Sequence, residues 1–246
     1  MHTAKKYFNI EANILLLLFL PGLLFAQPKI ELSSGFYTFS MKDMKSIQSQ
    51  IHSEDEIGLE PVYKFPPYWA YNANLIFAEQ FTNGFFSYTG IEVDYTSTGG
   101  RLSYSDYSGH YYFDQIFKRF SAGGFYRIEN VFGQRYSLGT EIGVSFFASE
   151  TIFESYLALS GNLIDNTNIN FSSFGVNGKA LLLQKFRLLK SLYLINKVGF
   201  QLDIYESKLT LKSDPNAYLN NPQGNPAKTM WSGLRGTLGL GININQ

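Results

Sequence analysis

Cysteine is missing from the 246-residue sequence, and with it go disulfide staples, thiolate metal ligands and a cysteine nucleophile. Charge is scarce: Asp, Glu, Lys and Arg make up 16% of the chain, against the roughly 25–35% that a solvated exterior carries. The two signs balance to zero, which leaves no electrostatic footprint for a nucleic acid. Of three histidines, only His52 and His110 lie beyond the N-terminal segment. Past residue 27 no stretch reaches the ~18 consecutive apolar residues of a membrane-crossing helix. What the chain has instead is aromatic side chains, 17 Tyr and 22 Phe among them, a composition that excludes disorder.

The first 26 residues read as an address. Lys5 and Lys6 precede an apolar run over residues 14–25 (ILLLLFLPGLLF), and Ala26 supplies a small residue before Gln27. Basic, apolar and small residues in that order make a secretory signal peptide, with cleavage expected after Ala26. The run is too short for a spanning helix, which needs about 20 residues. Residues 27–246 then form the mature chain, a single domain. An exported chain without a spanning helix is soluble, lipid-anchored or a β-barrel, and the missing cysteine removes the lipid anchor.

The stretch 230–246 sets the pattern for the rest. Leu234, Leu238, Leu240, Ile242 and Ile244 alternate with Arg235, Thr237, Gly239, Gly241 and Asn243, the period of a strand with one apolar and one polar face. Seven earlier segments repeat it, over residues 29–40, 68–79, 85–97, 111–128, 135–148, 169–184 and 192–206. The period changes once. Met41, Met44, Ile47 and Ile51 recur at helical spacing, which predicts a short amphipathic helix over residues 41–52, packed on a rim in the first long loop. The expected fold is all-β: an eight-stranded antiparallel up-and-down transmembrane β-barrel with that one helix.

Connections after the second, fourth and sixth strands are tight, and those after the first, third, fifth and seventh are long. Outer-membrane barrels show that parity, with the short turns facing the periplasm. Trp69, Tyr71, Tyr95, Tyr112 and Trp231 near the long-loop ends, and Tyr126 and Tyr136 near the short turns, suggest two interfacial girdles. The alternative is that aromatics simply favour strands. The inward positions carry Glu31, Glu92, Asp94, Glu141 and Asp203 against Arg119, Arg127, Lys179, Lys197 and Arg235. An eight-stranded barrel is only wide enough for side chains to fill, so these charges are expected to pair in a polar core rather than line a narrow pore.

Two short runs invite a catalytic reading, His52-Ser53-Glu54 and Ser108-Gly109-His110. Neighbouring strand residues point to opposite faces, so neither run is a preformed triad, and neither fits a nucleophile elbow or a metal spacing. No catalytic residue, metal or cofactor is expected. With this pattern in hand, the chain resembles the small outer-membrane β-barrel proteins of Gram-negative bacteria, in particular the Bacteroidota type. The resemblance rests on the signal peptide, the eight alternating strands and the strand-to-helix passage GFYTFSMKDMK over residues 35–45. It implies residence in the outer membrane, contact with its lipid, and insertion by the barrel-assembly machinery. That machinery reads a last strand usually ending in an aromatic residue, where this chain ends Ile244-Asn245-Gln246. The family shares no catalytic motif, so what the loops bind stays open. The resulting expectation is a structural or surface-interaction role through long external loops. A soluble lipocalin-like barrel holding a small apolar ligand is the alternative, and a lipid-modifying outer-membrane enzyme a lesser one.

Overall fold

The computed structural model describes residues 28–54, 59–82, 85–160 and 162–244, and the expected signal segment lies outside them. In chain order the elements are β1 (Lys29–Tyr37), α1 (Lys42–Glu54), β2 (Glu60–Lys64), β3 (Tyr68–Thr82), β4 (Phe85–Ser105), β5 (Gly109–Phe132), β6 (Tyr136–Leu159), β7 (Asn162–Arg187), β8 (Leu192–Glu206), β9 (Thr210–Leu211), β10 (Asp214–Tyr218) and β11 (Gly233–Asn243). All strand pairings are antiparallel, as expected where consecutive strands are joined by hairpins.

Eight strands pair in the order β1-β3-β4-β5-β6-β7-β8-β11, and β11 pairs again with β1. The sheet closes on itself, which removes its open edges over that length. The closing strand is the alternating C-terminal stretch that stands out in the sequence. One row of paired residues runs Lys29, Ile76, Gly90, Phe125, Gly143, Lys179, Gln201, Gly233. Extending the β1–β11 register by two residues brings this row back to β1 at Phe39, ten residues above its start. A stagger of ten over eight strands, with strands ~4.8 Å apart and ~3.3 Å per residue, tilts them about 40° from the ring axis. Each residue therefore climbs about 2.5 Å along the axis.

Through the lower part of the ring most of the large aliphatic side chains point out and the charges point in, while Ile76, Phe125, Leu181, Leu183 and Ile195 are buried with the charges. Ile30, Leu32, Ile91, Val93, Ile142, Val144, Leu182, Val198, Leu238 and Leu240 are all exposed, while Glu31, Glu92, Arg127, Glu141, Lys179 and Lys197 are buried. Alternation separates the two faces and the scarcity of charge assigns the polar one to the inside, and for these residues the chain adopts that facing.

The sequence reads residues 98–110 as a loop on a hairpin that extends beyond the core sheet, and residues 149–166 as a mixed stretch that continues its strand outward, and the structure shows both extensions. β4 and β5 stay paired as far as Ser105 opposite His110, and β6 and β7 as far as Leu159 opposite Asn162. Strand pairing satisfies every other backbone group internally, so long hairpin arms replace the loops. The four strands of these arms run 21 to 26 residues, against 9 to 15 for β1, β3, β8 and β11.

Within the arms the facing inverts. On β6, Phe146 is 71% exposed while its neighbour Phe147 is 3% exposed and points inward. Phe120 and Phe117 on β5 stand at 54% and 0%, and Phe174 and Phe171 on β7 at 62% and 8%. Above this line Phe117, Phe153 and Phe171 face inward, and Lys118, Glu150 and Asn168 face outward. A pleat keeps its period of two, so it is residue type that switches sides.

The inward aromatics of the arms meet α1 and the segment before β11. Phe39, Met41, Met44, Ile47, Phe65, Leu209, Ala227 and Trp231 join Phe117, Phe147, Phe153 and Phe171 in one buried cluster over the polar interior. Met44 and Ile47 reach it because they share one face of α1, as the helical spacing predicts. Met41, Phe65 and Met230 sit at positive φ (46°, 48° and 58°), uncommon for bulky side chains and held here where strands turn sharply into this cap.

Candidate functional site at the ring interior and outer arms

The ring interior is a continuous ion-pair network centred on Arg127. Its guanidinium donates to both carboxylate oxygens of Glu31 at 2.7 Å and to Glu141 Oε2 at 2.7 and 3.0 Å, with Glu129 at 3.4 Å. Lys179 bridges Glu92 and Glu141, the latter at 2.8 Å. Lys197 lies 3.3 Å from Glu31 and 3.2 Å from Glu141, and Tyr193 donates to Glu31 at 3.0 Å. Gly143 and Gly241 permit this crowding: a Cβ would fall 2.6 Å from Lys179 Cε at the first and 2.2 Å from the Tyr193 ring at the second.

A second cluster lies nearer the cap. Arg235 binds Asp94 and donates to the Tyr37 hydroxyl at 2.5 Å and to Gln201 at 2.7 Å. Arg119 reaches Asp94 at 3.5 Å and Gln201 at 3.0 Å, under the rings of Phe147 and Trp231 at 5.4 and 5.7 Å.

Nine of the ten sequence-chosen charges, Glu31, Glu92, Asp94, Arg119, Arg127, Glu141, Lys179, Lys197 and Arg235, are thus buried in these two clusters. Asp203 is not. It is half-buried at the cap edge, hydrogen-bonded by the Ser232 hydroxyl at 3.2 Å, with no cation within ion-pair distance among the described residues. Near the end of a strand its side chain leaves the axis, and Ser232 is the closer partner. Sequence reasoning missed Glu129 and Lys185, which pair at 2.5 Å, because both fell just past the strand ends it drew.

Among the aromatics chosen as girdle residues, Trp69, Tyr71, Tyr95, Tyr126 and Tyr136 are exposed on the outer face. Tyr112 lies higher, on an arm, stacked on Tyr156 with ring centroids 5.0 Å apart. Trp231 is a correction: it is 1% exposed and inside the cap. It packs edge-on against Phe39 at 5.1 Å and donates its indole N–H to Ser149 at 3.2 Å. Trp231 precedes β11, so strand parity does not govern it.

The catalytic candidates do not converge. His52 Nδ1 is 2.5 Å from the Leu59 carbonyl oxygen, whereas His110 stacks on Tyr156 at an arm tip. The Ser108 hydroxyl donates to Asp106 at 2.7 Å, a turn contact rather than a nucleophile–base pair. Asp106 also accepts from Ser108 N–H and the Tyr104 hydroxyl, and the Ser108 hydroxyl leads in holding its carboxyl below the usual aspartate range. A depressed value means that order at the tip is complete above the ordinary aspartate value of ~3.9 and fades as pH falls below it. Amide exchange at residues 106–109 should therefore be slow at pH 6 and faster, relative to the intrinsic rate, at pH 3. Unchanged protection across that range would refute the role of Asp106.

No family model matches the chain, and no curated protein does. Among solved structures it is similar to Neisserial surface protein A, at 10% identity over 89% of this chain and 98% of that one, with a TM-score of 0.41. It is also similar to Ail, the attachment invasion locus protein of Yersinia pestis, at 12% identity over 88% and 97% of the two chains, TM-score 0.39. The same protein in complex with the heparin analogue sucrose octasulfate matches at 13% identity over 88% and 98%, TM-score 0.39.

Proposed function

We propose that this chain is an integral outer-membrane β-barrel whose arms and cap form a surface-interaction module outside the lipid. The inversion of facing along single strands carries the reading. Below it the outer wall is apolar, and each exposed Leu, Ile, Val or Phe left in water would forgo about 1.5–3 kcal/mol of burial. Such an unbroken wall on a soluble protein would be an aggregation surface. Above it the same strands present charge and amide outward, as a wetted surface requires. At about 2.5 Å per residue, ten residues below the line span the ~25 Å apolar band of such barrels. A lipocalin-like reading needs apolar side chains inside, where this chain keeps Arg127 and its carboxylates.

In this reading the short turns face the periplasm, the partners are membrane lipid and the barrel-assembly machinery, and binding falls to the outward face of the arms. A matched pair of substitutions tests it, because Leu238 and Asn168 are both exposed. Leu238→Arg, in the middle of the apolar wall, is expected to cost about 2–4 kcal/mol in lipid vesicles. Asn168→Arg on the arm is expected to change stability by less than about 0.5 kcal/mol. The wild-type chain should pellet with outer membrane and change gel mobility on heating. Equal tolerance of both substitutions, or recovery in the soluble periplasm, would sink the proposal.

A further inference from the structure

The mouth at the short-turn end of the ring is a basic hollow that the network above it does not use up. Its floor is made by the buried rings of Tyr88 and Tyr193. Lys29 lies over Tyr88 at 4.5 Å, and Lys185 lies over Tyr88 at 5.0 Å and Tyr193 at 4.8 Å. Both lysines have acids already: Lys29 pairs with Glu79 at 2.8 Å, and Lys185 with Glu129 at 2.5 Å. The rim adds Arg135, in the turn from β5 to β6, and Arg187, the last residue of β7. Both are exposed, and neither guanidinium has a carboxylate within 4.0 Å among the described residues.

Both of these exposed arginines line the hollow. Four cations surround it against one lining carboxylate, Glu129. The hollow is open to solvent on one side and offers about 80 Å³. That is room for a few water-sized groups, and so for one phosphate or carboxylate group rather than a whole sugar or peptide. A guanidinium presents a planar donor fork that fits an oxyanion two oxygens at a time, and a floor of aromatic rings keeps water from one side.

We propose that this mouth is an oxyanion site, in which Arg135 and Arg187 grip a phosphate or carboxylate group over the Tyr88 and Tyr193 floor, with the already paired Lys29 and Lys185 at its back. The anion is either a small soluble molecule or the headgroup phosphate of a lipid at that rim. The site does not rest on the membrane reading, since the hollow belongs to the ring wherever the ring resides.

Inorganic phosphate titrated into the isotope-labelled full chain, folded in uncharged maltoside micelles, tests it by amide chemical shifts. Saturable shifts are expected at Arg135, Arg187 and Tyr193, and sodium chloride of matched ionic strength should not reproduce them. The double variant Arg135→Ala/Arg187→Ala should raise the half-saturating concentration at least tenfold with an unchanged circular dichroism spectrum. Repeating the titration in phosphatidylglycerol nanodiscs separates the sources. A headgroup in the site would abolish the phosphate shifts there, and a soluble ligand would leave them intact; both results support the site. Linear, unsaturable shifts in micelles, or saturation unaltered in the double variant, overturn it.

Discussion

Replacing Arg127 with alanine is expected to cost about 3–5 kcal/mol of folding free energy, a large fraction of the roughly 5–15 kcal/mol that holds a domain together. Arg127 is fully buried and holds Glu31, Glu141 and Glu129 together. Its removal leaves those carboxylates one cation short, with only Lys179, Lys185 and Lys197 still beside them. The cost is one of leaving charges unpaired, not the net worth of the pairs, which can be near zero relative to an apolar core. The distinction is testable. Adding Glu31→Gln to Arg127→Ala restores the charge count, so the double variant should be more stable than Arg127→Ala alone. Urea unfolding in lipid vesicles, followed by the heat-dependent gel shift, measures both. A double variant whose loss equals the sum of the losses of Arg127→Ala and of Glu31→Gln alone would show that the network is not coupled.

Replacing Trp231 with alanine should cost about 3–5 kcal/mol by the usual toll of a deleted core aromatic, but locally rather than globally. The indole fills the cap, packing on Phe39 and covering Arg119. Nε and Nη1 of Arg119 have no hydrogen-bond partner among the described residues, so water admitted by the truncation would find donors to satisfy. That compensation pulls the expected figure toward the lower end. Amide exchange should rise sharply in α1 and over residues 207–230 while the strands of the lower ring stay protected. Loss of the heat-dependent gel shift together with the cap would show instead that cap and ring fold as one unit. Trp69, the other tryptophan, lies on the exposed outer wall, so loss of the more shielded component of tryptophan fluorescence would report the cap directly.

Most of the ring was legible because one face of each strand is apolar and the other is not. Leu192–Glu206 was drawn to the residue, and the charges destined for the interior were separated from the wall by parity alone. The failures share a cause. Wherever a second apolar layer inside the arms takes over from the exposed apolar wall, alternation loses its phase, and residues 149–166 read only as a mixed stretch continuing the strand outward. The signal was there in the adjacent pair Phe146-Phe147, two large aromatics on opposite faces, which no strand with one wet face needs. Trp231 was misplaced for the same reason, since a girdle aromatic and a core aromatic are the same residue type. Arg135 was drawn as the first residue of a strand and Arg187 as the start of a connection, and at such ends pattern says nothing about which way a side chain points.

The switch from Phe146 to Phe147, echoed at Phe120 and Phe117 and at Phe174 and Phe171, has a further consequence if the ring sits in lipid. It acts as a waterline scored into three adjacent strands. A shift of one pleat, about 5 Å along the axis, would either lift Phe120 and Phe146 into water or draw Lys118 and Glu150 into hydrocarbon. Neither is cheap, so the molecule has no freedom to ride higher or lower in a membrane of the wrong thickness. The bilayer must pucker to meet it, at a fraction of a kcal/mol per ångström of mismatch.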